Sequence, residues 1–114
     1  MKKLLLLALG LTACVSQPNY GYTCPHLLTD GQVAQLQTRL RATIMLPNRD
    51  LRAECPGGEG WACSRFHADG TVTLYLWEGL VEMNRAIAHE QCHWHRILNL
   101  GVPFESERSH QGWL

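Results

Sequence analysis

The sequence predicts a small α+β domain, and three observations carry that assignment. Residues 30–46 and 80–99 each show an apolar stripe at helical spacing, and between them two segments flank Ala68-Asp69-Gly70, the second with strict strand alternation. The 114 residues leave room for one domain. Ten Lys+Arg against ten Asp+Glu provide no basic excess, so the charge balance argues against a nucleic-acid partner.

The elements follow in order. Thr29-Asp30 supplies a capping residue, and Val33, Leu36, Leu40 and Ile44 recur every three or four positions behind it, which predicts a helix over residues 30–46. Pro47-Asn48 ends that helix, and Asp50 to Gly60, rich in glycine and charge, reads as a loop. Trp61 to His67 and Thr71 to Trp77 form a β-hairpin, since Val72, Leu74 and Leu76 alternate with Thr71, Thr73 and Tyr75. Gly79 breaks the strand. Leu80, Met83, Ile87, Trp94 and Leu98 then mark a second helix over residues 80–99, ended by Asn99-Leu100-Gly101. The tail from Phe104 to Leu114 is short and mixed.

Ahead of this domain, Met1-Lys2-Lys3 leads into the apolar run Leu4 to Leu11, far shorter than the ~20 residues a membrane-spanning helix needs, so residues 1–13 read as a secretory signal peptide. Leu11-Thr12-Ala13-Cys14 resembles the bacterial lipobox. That resemblance implies cleavage before Cys14, lipidation of Cys14 and a membrane partner through the lipid anchor; Val15 after it favours the outer membrane, on its periplasmic face. Residues 14–25, broken by Pro18, Gly21 and Pro25, then form a lipidated tether, and residues 26–114 form the domain. Cleavage leaves 101 residues carrying eight basic and ten acidic side chains, because Lys2 and Lys3 are lost.

With Cys14 assigned to lipid, Cys24, Cys55, Cys63 and Cys92 remain in an oxidising compartment, which predicts two disulfides. Three connectivities are open. The turn-forming Pro56-Gly57-Gly58 favours Cys55–Cys63 and therefore Cys24–Cys92; the competing reading, a zinc-thiolate cluster, has no CxxC pair behind it.

The chemistry lies in His89-Glu90-Gln91-Cys92-His93, an HExxH pattern. Residues four apart share a helix face, so His89 and His93 can converge on one Zn²⁺. Glu90 points about a quarter turn away and can reach a water at the metal as its general base. Helix, hairpin and motif helix in this order resemble the zincin metallopeptidases, whose scaffold has a backing helix, a sheet whose edge strand aligns the substrate, and an HExxH active-site helix. The resemblance implies a zincin-like fold, a zinc cofactor, and a peptide or protein substrate in the periplasm. Arg96 and Asn99 stand where the metzincin extension would have Gly and His. The tail Ser109-His110-Gln111-Gly112-Trp113 resembles the SprT-like group, in which such a His is the third zinc ligand; this carries over to His110 alone, and the companion zinc ribbon of that group is absent.

Glu105, Glu107 and upstream His67 are the alternative third ligands. His67 and Tyr75 are also candidate hydrogen-bond donors to a developing oxyanion. His95, about 200° around the helix from His93, reads as a surface or packing residue. His26 with Arg39, Arg41, Arg49 and Arg52 reads as a solvated face. Of Trp61, Trp77, Trp94 and Trp113, at least two are expected in the core. A second function class fits the same residues: a small disulfide-stapled envelope lipoprotein that binds or inhibits a partner, with or without structural zinc.

Overall fold

The computed structural model describes Gln17, residues 24–56 and residues 60–102. The signal segment, Cys14, Glu105, Glu107, His110 and Trp113 therefore lie outside the described residues. Helix α1 (Asp30–Gln37) opens on a capping box. The Thr29 hydroxyl accepts from the Gln32 amide at 3.1 Å, and the Thr29 amide donates to the Gln32 side chain at 2.9 Å.

The helix ends at Thr38 instead of running to residue 46. Leu40–Leu46 is strand β1, paired in parallel with the later strand β3 (Val72–Trp77). The stripe through Leu40 and Ile44 fits a helix, but Thr43 and Ile44 are β-branched, and the edge of β3 offers the segment a hydrogen-bonding ladder, irregular only between Leu40 and Ala42. Tertiary pairing overrides the local pattern, and Ile44, which a helix would have buried, is 37% exposed.

Helix α2 (Asn48–Glu54) is a second departure, since it occupies the start of the expected loop. Pro47 and Asn48 do stop what precedes them, but Pro47 also sits in extended conformation at the N-cap, and Leu51 is fully buried. The expected hairpin is present as β2 (Ala62–Phe66) antiparallel to β3. Gly70 turns between them at φ +83°, a region open to glycine at little cost.

The sheet order is β1-β3-β2, a mixed three-stranded sheet. Every residue of β3 is buried, because the strand is central and helices cover both faces. Helix α3 (Met83–Trp94) packs on β2, whereas α2 packs on β3 and β1. A π-helical turn, His95–Asn99, prolongs α3 until Gly101 at φ +69° ends it. Leu80, Met83, Ile87, Trp94 and Leu98 all join the core, as do Trp61 and Trp77. The molecule is thus a small α+β fold with three helices and a mixed sheet among the described residues.

Two disulfides cross-link it, Cys24–Cys92 and Cys55–Cys63, with Cα separations of 5.9 and 6.0 Å. The first fastens the end of the tether segment to α3. Gln17 also reaches the domain: its side chain donates to the Gly79 carbonyl at 3.0 Å and accepts from the Val81 amide at 3.1 Å. Among the described residues, no helix is long and apolar enough to cross a membrane.

Candidate metal centre

Helix α3 brings the motif to the inner face of β2. Side chains alternate along a strand, so Ala62, Ser64 and Phe66 share one face with their ladder partners Leu76, Leu74 and Val72. Ser64 touches Glu90, which fixes that face as the one toward α3. Cys63, Arg65, Thr73, Tyr75 and Trp77 point the other way.

His89, Glu90 and His93 are 8, 5 and 7% exposed, and one potential ligand atom from each lies within 4.8 Å of the others. The two Nε2 atoms of His89 and His93 are 3.2 Å apart. Two nitrogens at 2.0–2.1 Å from a tetrahedral zinc would be separated by about 3.3 Å, so this spacing, which also lets one ring donate to the other, fits a shared ion. Helical phase brings the rings together, and packing holds them. The Trp61 indole meets His89 edge-on at 5.3 Å, and the His89 and His93 rings are 4.9 Å apart. Cys92, on the same turn, is fully buried and tied to Cys24, so the disulfide holds the helix between the two histidines.

Glu90 is engaged from the sheet. Ser64 Oγ donates to Glu90 Oε1 at 2.7 Å and accepts from Trp94 Nε1 at 2.6 Å. Neither contact follows from the HExxH spacing. A signal for Ser64 does exist, because it is a polar residue on the inward side of the hairpin, directly across the ladder from Leu74. Buried hydroxyls need partners, and an inward serine facing a motif helix points to one of that helix's polar groups.

His67 and Tyr75 are not at this centre. The His67 ring shares a hydrogen bond of 2.7 Å with the Thr73 hydroxyl, and Tyr75 lies under the Arg65 guanidinium at 5.4 Å, both on the face away from α3. The alternation that makes a hairpin also separates these residues from Ser64, which removes them as third ligand and oxyanion donors.

His95 is a packing residue. It is buried beside His26, with ring centroids 5.2 Å apart, and its Nδ1 lies 3.0 Å from Asn99 Nδ2. Burial first, then the positive charge His26 can carry, holds the His95 imidazole below its ordinary range. His26 is therefore half-buried in a cluster with His95 and Arg96 and does not belong to a solvated face. Arg39 is half-buried and donates to the Gly70 carbonyl, while Arg41, Arg49 and Arg52 are exposed as expected, Arg41 pairing with Asp69. His110, Glu105 and Glu107, the candidate third ligands, lie outside the described residues.

No protein-family model, curated protein or solved structure matches this chain.

Proposed function

We propose that this chain is a lipid-anchored, zinc-dependent hydrolase of the bacterial cell envelope that cleaves peptide bonds in a periplasmic protein or wall peptide. The observation that carries the reading is the 3.2 Å separation of the two histidine Nε2 atoms, with a Glu90 oxygen in the same buried cluster. His89 and His93 would hold the ion, with a third ligand drawn from His110, Glu105 or Glu107. Zinc bound there supplies Lewis acidity toward a substrate carbonyl and acidifies water at the site. Glu90 takes up a proton on its carboxylate and returns it to the leaving amine. β2 is an edge strand of the sheet, so an extended peptide can lie along it within reach of α3.

The second reading is a small disulfide-stapled lipoprotein that binds or inhibits a partner around a structural metal. Near-complete burial of all three motif residues favours it, because structural zinc sites are closed by four protein ligands whereas catalytic ones keep a position open.

Zinc stoichiometry with an X-ray absorption count of protein ligands separates the two, three supporting the hydrolase and four the binding module. Glu90→Gln retains zinc near the wild-type level while cleavage of a peptide library, followed by mass spectrometry, falls at least ~100-fold. His89→Ala and His93→Ala lose the metal. Full cleavage by Glu90→Gln removes Glu90 from the mechanism.

A further inference from the structure

A serine hydroxyl carries one hydrogen and two lone pairs, and an indole N–H can only donate. Trp94 Nε1, 2.6 Å from Ser64 Oγ, therefore takes up one of the serine's acceptor sites. The hydroxyl hydrogen is left to point at Glu90 Oε1, 2.7 Å away, where an ionised carboxylate can only accept. Ser64 is 6% exposed and Trp94 fully buried, so turning the hydroxyl elsewhere would abandon a hydrogen bond that water cannot replace. The chain Trp94 to Ser64 to Glu90 thus has one direction, and it fastens the carboxylate to β2.

This matters because Glu90 has the reach to do something else. One of its oxygens lies within 4.8 Å of the ligand nitrogens of both histidines, and a glutamate side chain has three torsions with which to close that gap. A carboxylate that closes it becomes a metal ligand and ceases to be a base.

We propose that Ser64, oriented by Trp94, is a positioning residue that ties Glu90 to the sheet and keeps it beside the metal as a base instead of on the metal as a ligand. The inference rests on the metal-hydrolase reading of the site. It gives the inward serine of the hairpin and the polar edge of a core tryptophan a common purpose that packing alone does not require.

The test is the visible absorption of the Co²⁺-loaded protein, which reports the number and type of ligands. In Ser64→Ala, Glu90 enters the coordination sphere: the cobalt bands shift and hydrolysis falls by about 10- to 100-fold. Ser64→Thr, which keeps the hydroxyl, retains the wild-type spectrum. Adding Ser64→Ala to Glu90→Gln leaves the Glu90→Gln spectrum unchanged, because the shift requires the carboxylate. Should Ser64→Ala fail to fold, Trp94→Phe, which removes the donor that orients Ser64, moves the bands in the same direction by a smaller amount. Cobalt spectra of Ser64→Ala and Trp94→Phe identical to wild type overturn the positioning role and leave the metal reading standing. A wild-type chain that takes up no cobalt overturns both.

Discussion

The two faces of the sheet are held by different physics. On the face toward α3, the polar groups are buried and bonded to one another, Trp94 to Ser64 to Glu90, and the covalent tie, Cys24–Cys92, spans 68 residues of sequence. On the face toward α2, Thr73 is buried against His67, but the charged groups are half-exposed. Arg65 pairs with Glu54 at 3.1 Å and lies over Tyr75, and the covalent tie, Cys55–Cys63, spans 8 residues. Exposed ion pairs contribute little, roughly 0–1 kcal/mol each, whereas breaking into a buried polar chain leaves groups unsatisfied at about 1–3 kcal/mol each. Rigidity is thus concentrated around His89, Glu90 and His93, and not where strands need only stay paired.

The largest test of that contrast uses the disulfides. Cross-linking restricts the unfolded chain more when the closed loop is longer, by about 4.4 kcal/mol for the 24–92 loop and about 2.6 kcal/mol for the 55–63 loop in the chain-entropy treatment. The paired replacement Cys24→Ser with Cys92→Ala lowers unfolding stability by up to the larger amount and weakens the zinc binding proposed above, because it also releases the helix turn between the two histidines. Cys55→Ser with Cys63→Ala costs less and leaves zinc affinity unchanged. Denaturant titrations and metal competition on the two variants read both outcomes, and equal losses of zinc affinity would erase the distinction between the faces.

The same contrast explains what could be read from the sequence. The motif residues were legible because HExxH depends only on local helical phase, and the hairpin because alternation and Ala68-Asp69-Gly70 are local signals. Both disulfide pairings followed from a turn and elimination. The split of residues 30–46 into helix and strand was not legible, since Leu40 and Ile44 satisfy a helical stripe and only the distant edge of β3 decides otherwise. α2 was hidden for a related reason: Pro47-Asn48 is both a stop and a start, and the burial of Leu51 that settles it comes from tertiary packing. Ser64 lay between these cases. Its inward position was readable, but its partner depends on which helix covers that face.

A smaller effect is expected where the two faces meet, in the loop from β3 to α3. The Trp77 indole lies against Gly79 so closely that a Cβ there would collide with the ring. Gly79→Ala therefore forces Trp77 to move, at about 1–3 kcal/mol of stability. Trp77 belongs to the α2 face, so zinc affinity stays at the wild-type level while the thermal midpoint falls. Loss of zinc affinity in this variant would show that strain in the loop reaches the motif helix and that the faces are not independent.

The smallest effect belongs to the hairpin end, where Asp69 is surrounded by donors and open to solvent. The Thr71 hydroxyl donates to Oδ1 at 2.6 Å and the Thr71 amide at 3.0 Å, while Arg41 approaches Oδ2 at 3.0 Å. The Thr71 hydroxyl foremost, then its amide, and Arg41 with them hold the Asp69 carboxyl down at about 2, below its ordinary 3.8. The folded value is depressed, so the folded state binds the proton less readily than the unfolded chain does. The stability that Asp69 adds is therefore complete above pH 3.8 and is lost as pH falls through about 2. A carbon-detected NMR titration of the side-chain carboxyl should give a midpoint near 2, and Asp69→Asn should flatten the corresponding part of the stability profile between pH 4 and 2. Because two of the three contacts come from Thr71 within the same turn, Thr71→Val should raise the midpoint more than Arg41→Gln does. Added salt should act mainly on the half-exposed Arg41 contribution. A midpoint near 3.8 in the wild-type protein would mean that the turn does not hold Asp69 as described, and that even the modest local order assigned to this end of the sheet is too high.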